Sequence, residues 1–77
     1  MSKEEDNLYV ISSFYHFVSI DEPKTLQQAC LKFLHANQLK GTLLIATEGL
    51  NGTLSGRRSS INAFHDWLRE DSRFVQL

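Results

Sequence analysis

From Leu8 to Val18 aromatic and β-branched residues run on without Gly or Pro, a pattern that predicts a β-strand. Period-2 geometry divides the strand into two faces. Tyr9, Ile11, Ser13, Tyr15 and Phe17 form the more apolar set and predict the core side. Val10, Ser12, Phe14, His16 and Val18 form the other set, which carries His16 and leaves Phe14 on the open sheet face. Asp21-Glu22-Pro23 then reads as a helix start, with Asp21 as cap, Glu22 at the positive dipole end and Pro in the first turn. Leu26, Ala29, Cys30, Phe33 and Leu34 recur at helical spacing as one buried stripe, and Asn37 to Gly41 supplies the stop.

Thr42 to Thr47 predicts a short apolar strand. Glu48-Gly49-Leu50-Asn51-Gly52 is dense in turn residues, and Thr53-Leu54-Ser55 resumes alternation, so a β-hairpin is expected with its connection at Glu48 to Gly52. Gly56-Arg57-Arg58-Ser59 ends the hairpin, and Ser59 or Ser60 caps a second helix with Ile61, Phe64, Trp67 and Leu68 as its apolar stripe. Glu70 to Arg73 breaks that helix, and Phe74-Val75-Gln76-Leu77 reads as the opening of one more strand. The order β-α-β-β-α-(β) is that of an α+β ferredoxin-like split βαβ sandwich, with helices on one face of an antiparallel sheet and the last strand truncated. In that topology the last strand lies beside the first, so its truncation leaves the first strand with an open edge. Residues 1–7 are polar and form a disordered lead-in to a single domain over 8–77.

Composition narrows the class without changing this picture. A chain of 77 residues holds one small domain with a thin stability margin. Eight basic against nine acidic residues give a net charge of −1, so the totals show no strong polyanion footprint. One cysteine excludes an internal disulfide, no Cys/His set has metal-ligand spacing, and nothing in the pattern calls for a cofactor. The longest aliphatic run, Leu43 to Ala46, is far short of the roughly 20 residues of a membrane span. The acidic N-terminus lacks the apolar core of a signal peptide. The expectation is a cytoplasmic monomer.

Candidate chemistry is sparse. Cys30 lies within the buried stripe and reads as a core residue. His16, His35 and His65 share no ligand or triad spacing and read as surface histidines. Glu48 to Thr53 admits two readings: a hairpin connection in which Gly and Asn supply unusual backbone angles, or a concavity where Glu48 and Asn51 present polar groups to a ligand or neighbouring domain. Arg57 and Arg58, with Lys40, form a small basic patch at one end of the hairpin. Phe14 and His16 on the open face would add stacking surface of the kind single-stranded RNA uses.

The runs Phe14-Tyr15-His16-Phe17-Val18-Ser19-Ile20-Asp21-Glu22-Pro23 and Gly41-Thr42-Leu43-Leu44-Ile45-Ala46-Thr47-Glu48-Gly49-Leu50-Asn51-Gly52-Thr53-Leu54-Ser55-Gly56, followed by Trp67-Leu68, resemble the N-terminal domain of the rhodanese-containing tRNA uridine hydroxylase family. The resemblance covers about residues 8 to 77, and Glu-Gly-Leu-Asn-Gly-Thr-x-Ser-Gly is its specific part. It implies an acylphosphatase-like domain preceding a rhodanese-like domain, within an enzyme that hydroxylates the wobble uridine of certain tRNAs using oxygen. Cys30 does not match that family's active-site cysteine. The implied role is that of a non-catalytic accessory domain. It would position tRNA through Lys40, Arg57, Arg58 and Phe14, or pack its Glu48–Thr53 hairpin on the rhodanese-like domain.

Two other classes share the topology. Acylphosphatases place a Gly-rich, Arg-containing phosphate cradle after the first strand; here that loop is Ser19-Ile20-Asp21-Glu22-Pro23, which is acidic and lacks both residues. A small-ligand-binding regulatory module is the alternative, and it usually needs a Gly in the same loop.

Overall fold

The computed structural model describes residues 8–77. The expected lead-in at 1–7 lies outside the described residues. Strand β1 spans Tyr9–Phe17, helix α1 Pro23–Ala36, β2 Lys40–Ala46, β3 Gly49–Arg57 and α2 Arg58–Arg69, and a 3-10 turn follows at Ser72–Phe74. The three strands form one antiparallel sheet in the order β1-β3-β2. Tyr9 lies opposite Arg57 and Phe17 opposite Gly49; on the other side Lys40 lies opposite Ser55 and Ala46 opposite Gly49. β3 thus separates the strands that α1 connects, which is the split βαβ arrangement of an α+β ferredoxin-like fold. Among the described residues β1 pairs on one side only.

Leu43, Leu50 and Leu54 from the sheet meet Cys30 and Leu34 of α1 and Ile61, Phe64 and Leu68 of α2. Ile20, Leu39 and Phe74 close the ends of this core. Within α1 the buried stripe is narrower than the spacing predicts, because Ala29 is exposed while Leu26 and Phe33 are half-buried. Trp67 stacks on Phe33 at 4.8 Å between ring centroids, and Phe64 lies 5.8 Å from Phe33 and 6.0 Å from Phe14, so aromatic contacts join both helices to the sheet.

β1 is inverted relative to the sequence expectation. Tyr9, Ile11, Ser13, Tyr15 and Phe17 face solvent, while Val10, Ser12, Phe14, His16 and Val18 face the helices. The reason is tertiary. Gly52 lies directly opposite Phe14 and has no side chain, so the Phe14 ring fills the space above it. The two polar residues of this face find partners: Ser12 Oγ meets His65 Nε2 at 3.0 Å, and His16 Nε2 meets the Arg73 carbonyl at 2.9 Å. His16 and His65 are therefore half-buried structural groups, and of the three histidines only His35 is exposed as expected.

The hairpin also differs from expectation. Its connection is Thr47-Glu48 alone, and Gly49, Leu50, Asn51 and Gly52 all belong to β3. Gly49 has φ +151°, and a Cβ there would run into the β1 backbone at His16 and Phe17. The Gly-Leu-Asn-Gly run is thus spent on close strand approach.

Helix boundaries move for similar reasons. Pro23, lacking an N–H, occupies the first helical position, which makes Glu22 rather than Asp21 the cap residue. β3 passes into α2 without a loop: Arg57 is the cap residue, and the Arg58 N–H donates to the Leu8 carbonyl at 2.9 Å. With that donor satisfied by Leu8, just ahead of β1, Ser59 and Ser60 lie inside the first turn and cap nothing. Phe74 to Leu77 does not open a strand. Asp71 accepts from the Arg73 backbone N–H at 2.9 Å and pairs with its guanidinium at 2.6 Å, curling the chain into the 3-10 turn that buries Phe74.

Candidate nucleic-acid interface

The face of the sheet turned away from the helices is built by strand alternation. Tyr9, Ile11, Ser13, Tyr15 and Phe17 point outward from β1, and register sets Arg57, Ser55, Thr53, Asn51 and Gly49 beside them. Lys40, Thr42, Leu44 and Ala46 of β2 complete the rows. Phe17 is 79% exposed and Tyr15 71%, their rings meeting edge to face at 5.7 Å.

Glu48 and Asn51 come together at one end of this face. They line a depression with Tyr15, Phe17, Leu44 and Gly49. Gly49 lines it at the tight contact between β3 and β1 described above. Lys40 and Arg57 lie on the same face at its opposite end; Arg57 is about 20 Å from Asn51, six residues at roughly 3.4 Å each. No carboxylate among the described residues pairs with Lys40, Arg57 or Arg58. Arg58 begins α2 beside this end. Phe14 is not part of the surface, because it packs in the core against Phe64 and His65. The stacking residues of the open face are instead Tyr9, Tyr15 and Phe17, which the period-2 pattern isolates as a set but assigns to the wrong side.

Other chemistry is muted. Cys30 is fully buried, and burial pushes its thiol up to about 11, so no reactive thiolate forms near neutrality. Burial holds His65 below the ordinary histidine value, with Arg69 adding to the effect and Asp66 opposing it. Arg73 holds the Asp71 carboxyl low through its hydrogen bonds. Among the described residues no three His, Cys, Asp or Glu side chains gather as a metal site. The loop after β1 is no phosphate cradle: the Val18 and Ile20 N–H groups donate to the Glu48 and Thr47 carbonyls at 3.1 and 2.9 Å.

The chain is similar to several curated proteins. The tRNA uridine(34) hydroxylase of Legionella pneumophila (strain Corby) is 41% identical over 68 residues, which cover 88% of this chain and 27% of that protein. The tRNA uridine(34) hydroxylase of Staphylococcus epidermidis (strain RP62A) is 41% identical over 69 residues, covering 90% of this chain and 22% of that protein. The chain therefore spans about a quarter of the length of these relatives. The profile of the UPF0176 acylphosphatase like domain matches residues 9–77, the whole folded unit described above, and the chain belongs to that family.

Proposed function

We propose that this chain is a non-catalytic accessory domain of a larger tRNA uridine hydroxylase, where it helps position tRNA for a rhodanese-like domain elsewhere in the protein. The observation that carries the reading is the 41% identity to tRNA uridine(34) hydroxylases over nearly the whole chain but a quarter of theirs. The residues of the chain agree with it. The single thiol is buried and protonated, and the described histidines are spent on structural bonds or stand alone at the surface. The loop after β1 is acidic, and its Val18 and Ile20 N–H groups are engaged with the Glu48 and Thr47 carbonyls rather than turned to a phosphate. A tRNA substrate implies a cytoplasmic protein, and no helix among the described residues is long and apolar enough to cross a membrane.

The test is made in a full-length relative. Removing the matched domain is expected to weaken tRNA binding and lower hydroxylation at limiting tRNA. The variant N51A in the intact protein is expected to move the same two readouts in the same direction. Unchanged tRNA affinity and unchanged hydroxylation in both proteins would overturn the reading.

A further inference from the structure

The outward sheet face carries side chains that folding does not require. Solvent-facing positions of a half-covered antiparallel sheet are ordinarily polar. Here Tyr9, Ile11, Tyr15, Phe17 and Leu44 stand exposed, and contiguous exposure of this kind marks an interaction surface.

The arrangement along the strands says more. Row by row from the β2–β3 turn, the face runs from Phe17, Gly49 and Ala46 to Tyr15, Asn51 and Leu44, then Ser13, Thr53 and Thr42. It ends at Ile11, Ser55 and Lys40, and at Tyr9 with Arg57. Its only charged strand residues are the cations Lys40 and Arg57, both without a carboxylate partner among the described residues. Among the described residues the carboxylate that lines this face, Glu48, sits in the turn at the other end. An apolar protein surface has no use for this polarity. An unpaired RNA strand matches it: bases offer π-faces to tyrosines, hydroxyls and an amide meet sugars and base edges, and phosphates require the cations. In an RNA duplex the base faces are stacked on one another and closed to the rings, so paired RNA matches this face less well.

We propose that this face is a stacking platform for a short single-stranded RNA segment, an inference that rests on the accessory reading above. Tyr15 and Phe17 take bases, Asn51 and Glu48 meet a base edge, and Lys40 and Arg57 take phosphates. The RNA runs lengthwise along the strands, base end at the hairpin turn and phosphate end at the start of α2.

The probes are an oligouridylate of about ten nucleotides and an RNA duplex of equal length, titrated against the 77-residue chain at two salt concentrations and followed by amide chemical shifts. Shifts are expected at Tyr15, Asn51, Thr53, Ser55 and Arg57, with the single strand preferred. Y15A is expected to weaken binding roughly tenfold, and Y15F to retain it. The pair K40E and R57E is expected to flatten the logarithmic salt slope by about 1.4. K32E, on the solvent side of α1, leaves binding unchanged. Absence of binding, equal binding of duplex and single strand, shifts confined to the helices, or self-association through this face would each overturn the platform. In a full-length relative, loss of tRNA binding on domain removal combined with silent Y15A and R57E would leave the accessory reading standing and remove this inference.

Discussion

His65 shows how a single side chain ties pH to stability. Its Nε2 meets Ser12, its Nδ1 is buried without a partner, and its ring packs edge-on against Phe14. Charging that ring in place is unfavourable, so the folded chain holds it neutral while the unfolded chain binds a proton as pH falls through about 6.5. Stability is therefore present above that value and declines below it. Thermal melting should fall between about pH 7.5 and pH 5.5, and H65Q should show a shallower decline. Gly52 makes a steric prediction. A Cβ there meets Leu43 Cδ1 at 2.8 Å and Phe14 Cζ at 3.0 Å, with the Thr42 carbonyl also at 3.0 Å, so G52A should cost about 1–3 kcal/mol in denaturant unfolding. Cys30 should resist a thiol reagent in the native chain and react once the chain is unfolded, because its side chain is fully buried and its thiol protonated.

The helices are the elements most legible from residue order, since a 3.6-residue period leaves one consistent apolar face. Cys30, Leu34, Ile61, Phe64 and Leu68 all lie where that period places them. The strand faces resist such reading. In β1 the more apolar set is the exposed one, and what reverses it lies 38 to 57 residues away: the missing side chain of Gly52, the ring of His65 and the carbonyl of Arg73. Asn51-Gly52 likewise carries a turn signal locally, but the close approach of β3 to β1 at Gly49 leaves only Thr47-Glu48 for the turn. Of the candidate site residues, Lys40, Glu48, Asn51 and Arg57 do share one surface, whereas Phe14 leaves it with the face inversion. The C-terminal segment supplies a test at this scale. Phe74 is fully buried within a 3-10 turn, where an extended strand was expected. F74A should cost about 3–5 kcal/mol and expose the amides around His16 to faster hydrogen exchange, since the Arg73 carbonyl that holds His16 would be released.

At the scale of the molecule, the two sides of one sheet have separate duties. The inner side, closed by α1, α2 and the 3-10 turn, holds the fold; the outer side presents rings, hydroxyls and cations, which the proposed platform assigns to an outside partner. On this division Y15A is expected to weaken binding while leaving the melting temperature nearly unchanged, and measuring both on one variant checks it. The same architecture carries a liability along a third direction, in the plane of the sheet. Among the described residues β1 pairs with β3 on one side only, and its sequence Tyr-Val-Ile-Ser-Ser-Phe-Tyr-His-Phe holds no Pro, Gly or acidic residue. Such a nine-residue edge offers its free N–H and C=O groups as a template for another strand. Where nothing caps that edge, copies of the chain can extend one another's sheets, so concentration rather than temperature would set how long the isolated domain stays dispersed.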